Sequence, residues 1–293
     1  MKVNRKSENK PIEIRPQKGK QEMFLSSPAD ICIYGGAAGG GKTYALLLEC
    51  LRHIDNRLFE AVIFRQSRPQ ILSAGGLYAT SQEIYPYLGA TSVLTAEIQW
   101  RFPSGAKVTF GHMFYEKDKL AWQGSQITFI GFDELTHFSE GQFFYMLSRN
   151  RSVCGIKPYV RATTNPDSDS WVADFISWWI DPETGLPIPE RSGVLRWMFR
   201  QSNQIYWGDS PDEIVERLGE DVCSIEDCKS VTFIASTLSD NKILTEKDPS
   251  YLSNLKALPE VERERLLYGN WKIKPAAGLF FKRSQVTIID DIP

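Results

Sequence analysis

The segment Tyr34–Tyr44, YGGAAGGGKTY, constrains this chain more than any other stretch. It carries the pattern G-x-x-x-x-G-K-[ST], opened by Gly36, closed by Gly41 and followed by Lys42 and Thr43. Ahead of it, Asp30–Tyr34 (DICIY) is an apolar run of strand length, and behind it Ala45–Leu51 are good helix formers. Strand, glycine-rich turn and helix are the context in which this pattern cradles phosphate. Residues without Cβ let the loop wrap tightly and aim backbone N–H groups at phosphate oxygens. The start of the helix adds unpaired N–H groups and a positive dipole end. Gly36, Ala37, Ala38, Gly39, Gly40 and Gly41 would form the cradle. Lys42 would reach the β- and γ-phosphates, and the Thr43 hydroxyl would ligate Mg²⁺. A glycine-rich connector with a chance Lys-Thr would not explain the flanking strand and helix.

The pattern around this loop is α/β. Glu60–Arg65 (EAVIFR) reads as a second buried strand about ten residues after the helix, which argues a right-handed parallel unit. Pro69–Tyr87 is helix-rich and broken at Gly75-Gly76. Glu97–Phe102 and Ala106–His112 alternate around Pro103-Ser104-Gly105 as a hairpin, expected as decoration on the parallel core. Ile127–Phe132 and Tyr159–Thr164 read as further core strands, with a helix over Phe143–Arg149 between them. Helices on both faces of a mostly parallel sheet follow from this alternation. After residue 167 the composition shifts. Trp171–Ile180 is an aromatic-rich helix, Val194–Trp207 a hairpin, and Lys229–Ala235 a strand returning to the main sheet. Asp248–Tyr268 reads as two short helices broken at Pro259, in a small satellite subdomain that takes in Trp271 and part of 171–225. The expected division is a basic N-terminal arm over 1–20, a core over 21–245, a lid-like helical subdomain over 246–275, and a linker over 276–293.

Composition excludes several classes. The 293 residues are 42% hydrophobic and 24% charged, with a net charge of −2, so no global field marks a nucleic-acid binder. Seven Lys or Arg among residues 1–20 make only a local basic arm, expected to be solvated or to touch DNA or a neighbouring subunit. No apolar run is long enough to span a membrane, and residues 1–20 are too polar for a signal peptide. The five cysteines, Cys32, Cys50, Cys154, Cys223 and Cys228, show no paired spacing and read as reduced thiols in a cytosolic protein.

Two further constellations carry chemistry. Asp133-Glu134 closes an apolar strand 91 positions after Lys42. An acid there can hold the water shell of Mg²⁺, and the next acid can polarise an attacking water as a general base. A helix N-terminal charge pair is the alternative, and the upstream loop tips the balance towards chemistry. Thr163-Thr164-Asn165-Pro166 follows a strand expected beside the first, where hydroxyls and an amide can sense a γ-phosphate. A Thr-rich edge with an Asn-Pro turn would give the same letters. Asn241-Lys242 does not continue as N-K-x-D, which favours ATP over GTP, and the glycines do not fall as G-x-G-x-x-G.

Taken together, these pieces resemble the ATPase part of the large terminase subunit, the DNA-packaging motor of tailed phages. The resemblance is carried by residues 21–43 (QEMFLSSPADICIYGGAAGGGKT), FIGFDELTHF at 129–138, LSRNRS at 147–152 and RATTNP at 161–166. SVTFIASTLSDN at 230–241 and the run from Asp248 through Trp271 add to it. The resemblance implies a P-loop fold of the additional-strand type with a lid, and ATP and Mg²⁺ as cofactors. By it, Gln21 is the adenine-side glutamine, Asp133 the magnesium acid, Glu134 the catalytic acid, and Thr163, Thr164 and Asn165 the motif coupling hydrolysis to DNA movement. Its implied partners are double-stranded DNA, a portal and procapsid, a small terminase subunit, and copies of the chain in a ring, expected as a pentamer. The isolated chain is expected to be monomeric, and the location is the host cytoplasm. A helicase-like ATPase that remodels nucleic acid without packaging, or a nucleotide-gated adaptor, are the competing classes.

The chain departs from the family in two places. Some members carry a trans-acting arginine just before the glycine that precedes the acid strand, and here that position is Gln123, before Gly124. Arg149 or Arg151 are the expected substitutes, with phosphate sensing in cis or plain surface charge as alternatives. Members also continue into a nuclease with clustered metal-binding acids. The chain ends at Asp290-Asp291-Ile292-Pro293, so no nuclease activity is expected of it.

Overall fold

The computed structural model describes residues 13–95 and 97–274, so most of the expected arm and the expected 276–293 linker lie outside the described residues. The sheet begins with β1 (Ile31–Gly36), β2 (Glu60–Arg65), β3 (Thr91–Leu94), β4 (Ile98–Arg101) and β5 (Lys107–His112). It continues with β6 (Phe129–Phe132), β7 (Tyr159–Thr164), β8 (Arg196–Gln201), β9 (Gln204–Gly208) and β10 (Lys229–Ser236). All ten join one sheet in the order β3-β4-β5-β2-β6-β7-β1-β10-β8-β9. The inner strands β5, β2, β6, β7, β1 and β10 run parallel, and antiparallel pairs extend both sides. This is the mostly parallel, helix-flanked P-loop architecture expected. The strand inserted between the loop strand β1 and the acid strand β6 is β7.

The sequence pattern explains why these strands are interior. Successive residues of β1 and β2 are buried on alternate faces. Cys32, Tyr34, Ala61 and Ile63 enter one apolar cluster, and Ile31, Ile33, Val62 and Phe64 enter the other. Strands covered on both faces lose the polar alternation of a half-exposed strand and read as continuous apolar runs. The helices Lys20–Leu25, Lys42–Glu49 and Leu77–Gln82 contribute Phe24, Leu46 and Leu77 to the first cluster. Glu140–Leu147 and the aromatic segment beginning at Trp171–Phe175 cover the other face, with Phe143, Phe175, Trp179 and Trp271 buried in it.

Two expectations change. The hairpin of β4 and β5 is not decoration. β5 pairs in parallel with β2 from Glu60↔Lys107 to Arg65↔His112, and the hairpin extends the main sheet. Four successive residues of β5, Val108 to Gly111, are buried, as an inner strand requires. The hairpin of β8 and β9 is present as expected and joins the sheet through the pairing of β8 with β10. The aromatic helix is also shorter than expected, Trp171–Phe175 followed by a turn of 3₁₀ helix over Ser177–Trp179. After β10 come three short helices, Lys242–Lys247, Ser250–Lys256 and Glu260–Leu266, with Pro259 at the break before the last.

Candidate active site

Parallel strands all point their carboxyl ends the same way, so β1, β6 and β7 deliver their following residues to one edge of the sheet. There the loop after β1 meets Asp133-Glu134 after β6 and Thr163–Asn165 at the end of β7. The loop's shape depends on glycine at two points in particular. Gly36 sits at φ 133°, and a Cβ there would lie 2.3 Å from the Ser236 carbonyl oxygen. Gly39, at φ 77°, is packed so closely by Tyr251, Leu238 and Leu244 that a Cβ would come within 2.9 Å of each. The Ala37 N–H donates to the Ser236 carbonyl (2.9 Å) and the Ala38 N–H to the Leu266 carbonyl (2.7 Å). Those two donors are therefore committed to the framework. The cradle for an anion is left to the following N–H groups, from Gly39 into the first turn of the Lys42–Glu49 helix.

Lys42 is 7% exposed, and its ammonium donates to the Ala37 carbonyl (2.7 Å) and to Asn165 Oδ1 (3.0 Å). Burial pushes its pKa below the ordinary lysine value, while the charges of Glu134 and Asp133 act the other way. Asp133 is 3% exposed and fully engaged. Its Oδ1 accepts from Thr163 Oγ1 (2.7 Å) and Thr43 Oγ1 (3.1 Å), and its Oδ2 accepts from Arg65 Nη1 (2.9 Å). A hydroxyl and a carboxylate set side by side are hard oxygen donors of the kind Mg²⁺ prefers, so Thr43 and Asp133 suit that ion.

Glu134 takes a left-handed backbone, φ 62°, which is uncommon for a residue with a side chain. Its N–H donates to Thr163 Oγ1 (3.3 Å). Both of its carboxylate oxygens are held by one residue. Asn165 Nδ2 donates to Oε1 (2.7 Å) and the Asn165 N–H to Oε2 (3.0 Å). Asn165 thus bridges the loop lysine and the second acid, with charge-assisted bonds worth about 1.5–3 kcal/mol each. Thr164 turns aside, its hydroxyl donating to Thr136 Oγ1 (3.4 Å) and to the Asn165 carbonyl (3.0 Å).

Gln21 is 2% exposed and donates through Nε2 to the Gly41 carbonyl (3.1 Å), at the hinge of the loop. Gln17 braces it, its N–H donating to Gln21 Oε1 (2.8 Å) and its Nε2 to Asn241 Oδ1 (2.8 Å). Asn241 in turn donates to the Gly39 carbonyl (2.6 Å). The structure therefore brings together Gln21, the loop, Asp133, Glu134, Thr163 and Asn165.

It does not bring in Arg149 or Arg151. Both flank Ile127, whose N–H donates to the Arg149 carbonyl and whose carbonyl accepts from the Arg151 N–H. That places them at the amino end of the acid strand, about 20 Å from Asp133 at the rise of an extended chain. The reading of either as a phosphate sensor in cis is corrected by that distance. Arg149 stacks on the Tyr145 ring at 5.4 Å, and Arg151 donates to the carbonyls of Gly124 (3.2 Å) and Ser125 (3.3 Å).

Three site residues escape a reading of the sequence. Arg65 ends an apolar strand, and a charged residue at the carboxyl end of a buried strand is the available signal. Asn241, and Arg265, whose Nε donates to the Pro166 carbonyl (3.0 Å), carry no local signal, because only the folded chain puts them at the loop and beside Asn165.

Comparison with known proteins agrees with this architecture. The large terminase of a thermophilic bacteriophage superposes with a TM-score of 0.52 at 15% identity, over 87% of this chain and 53% of that one. The complex of the same terminase with ATP-gamma-S gives the same score at 16% identity. The large terminase ATPase domain of Thermus phage P74-26 gives 0.50 at 13% identity, over 89% of this chain and 94% of that domain. At these identities the likeness shows the fold. This chain spans about half the length of the first of these terminases. No curated protein matches the sequence. The family model described as terminase large subunit, T4likevirus-type, N-terminal, matches residues 33–288, and the chain belongs to that family.

Proposed function

We propose that this chain is a Mg²⁺-dependent ATPase whose hydrolysis drives double-stranded DNA into a procapsid. The observation that carries the reading is the Asn165 bridge, which links the phosphate-loop lysine, the second acid and the coupling segment in one hydrogen-bonded unit. Lys42 would leave the Ala37 carbonyl for the β- and γ-phosphates and neutralise charge that develops on the leaving group. Gln21 would brace the loop on its adenine side. Glu134 would orient the attacking water and accept its proton, each carboxylate oxygen keeping a lone pair beyond its bond to Asn165. Mg²⁺, when held by Thr43 and Asp133, would supply positive charge at the phosphate oxygens. Because Thr163 and Asn165 sit at the end of one strand and touch both acids, loss of the γ-phosphate would be felt directly by β7. Portal, procapsid, small terminase subunit and further copies of the chain are the partners of this reading, in the host cytoplasm. Among the described residues no helix is long and apolar enough to cross a membrane.

The reading is tested by phosphate release from the purified chain with Mg-ATP, alone, with double-stranded DNA, and with portal-bearing procapsids. DNA-stimulated turnover and protection of DNA inside procapsids are expected. Stimulation by DNA without any packaging would favour a helicase-like remodelling enzyme, and no turnover under any condition would leave an adaptor.

A trans-acting arginine completes the proposal. Arg149 and Arg151 stand too far from their own site, so either would act on a neighbour in the ring. Arg151 is the stronger of the two, since its guanidinium already lies on the Gly124 and Ser125 carbonyls, beside Gln123. In trans such a group is worth about 10³–10⁵ in rate. Mixing Arg151→Ala chains with Glu134→Ala chains, each inactive alone, should restore turnover at sites pairing an intact acid with a neighbour's arginine. Recovery with Arg149→Ala instead would move the role, and no recovery from assembled mixtures would remove it from both.

A further inference from the structure

Between the phosphate loop and the coupling segment runs a contact that neither motif contains. The helix Glu260–Leu266 ends against the loop, where the Leu266 carbonyl takes the Ala38 N–H at 2.7 Å. One residue earlier the chain reaches the other way. Arg265 Nε donates to the Pro166 carbonyl (3.0 Å), and its Nη2 lies 3.8 Å from Asp167 Oδ2. Pro166 follows Asn165, the residue that holds both Glu134 oxygens and the Lys42 ammonium. Two consecutive residues of one helix thus clip the loop to the coupling segment.

We propose that Arg265 is a positioning residue that ties the Glu260–Leu266 helix to Asn165, so that movement of this helix sets how firmly Glu134 is held. The backbone at this point is suited to passing on a displacement. Proline fixes its own φ, and the residue before a proline is confined to extended conformations. With φ of Pro166 fixed and Asn165 confined, ψ of Pro166 is the main rotation left between the Pro166 carbonyl and Asn165, so a pull that exceeds it moves the Asn165 peptide whose N–H is bonded to Glu134 Oε2. The Leu266–Ala38 bond makes the same helix responsive to the loop, because any rearrangement of the loop around a bound phosphate that shifts Ala38 acts on Leu266. Arg265 passes that response to the residue controlling the general base. This inference rests on the ATPase reading above.

The test is a double-mutant cycle on the full chain with Mg-ATP, using Arg265→Ala, Asn165→Ala and the double variant, each checked for an unchanged melting temperature. Arg265→Ala should alter kcat by about 10-fold or more with KM unchanged, the scale of effect that a small misplacement produces. On the Asn165→Ala background the same substitution should do nothing further. Arg265→Lys, which keeps the charge and loses the Nε geometry, should behave like the alanine variant. A second readout is amide exchange over residues 163–169. The change produced there by ATP-gamma-S in the unaltered chain should vanish in Arg265→Ala. Independent effects of the two substitutions, or a raised KM with kcat and amide exchange unchanged, would show that Arg265 merely docks the helix. An unaltered chain that never turns over ATP would instead overturn the ATPase reading, and this inference with it.

Discussion

Lys42→Ala is expected to abolish hydrolysis, by a factor of at least about 10²–10³, the cost of losing one preorganised group at a developing charge. The side chain is 7% exposed and carries the only ammonium in the bonded unit of loop, acid and coupling residues described above. Its removal also leaves Asn165 Oδ1 and the Ala37 carbonyl without their donor, so Asn165 loses one of the two charges it bridges. Nucleotide affinity should fall with turnover, because the same cation meets the phosphates in the ground state. Phosphate release and binding of a fluorescent ATP analogue measure the two effects. Turnover by purified Lys42→Ala at the rate of the unaltered chain would falsify the placement of the site.

Glu134→Ala should separate binding from chemistry. Turnover is expected to drop by about 10²-fold or more, the usual contribution of a general base, while Mg-ATP stays bound. The structure gives the reason for the split between neighbouring acids. Asp133 is bonded to Thr43 of the loop helix, whereas the carboxylate of Glu134 accepts from Asn165. Asp133→Ala should therefore shift the Mg²⁺ concentration needed for activity, and Glu134→Ala should not. Titrating Mg²⁺ against activity and nucleotide binding in both variants decides the matter. Equal Mg²⁺ dependence in the two would make the acids interchangeable and end the assignment of separate roles.

What can be read in the sequence is local. The loop announces itself because its glycines, lysine and threonine are contiguous, and the strand ahead of it shows an unbroken apolar run. Asp133-Glu134 and Thr163–Asn165 are legible as strand ends for the same reason, and β7 does lie beside β1 with Tyr34 opposite Thr163. Strand order is another matter. Nothing local tells that β5 pairs with β2, and an alternating segment beside a tight turn looks the same in a surface hairpin as in one that continues a sheet. Arg65 escapes notice because its partner Asp133 is 68 residues away and meets it only through the pairing of β2 with β6. Arg265 lies 99 residues from Pro166. Arg149 and Arg151 attract attention by their nearness in sequence to the acids, but the chain turns back after the Glu140–Leu147 helix and returns them to the opposite end of the sheet.

The left-handed backbone of Glu134 has a consequence for how this position can change over time. Glycine accepts φ 62° without penalty, whereas a residue with a side chain held in a sparsely populated region gives up about 1–3 kcal/mol. On the proposed role of Glu134 as general base, thermal robustness and turnover select in opposite directions at one codon. A population screened only for robustness should drift towards glycine at residue 134, and only continued selection for activity would keep the acid there.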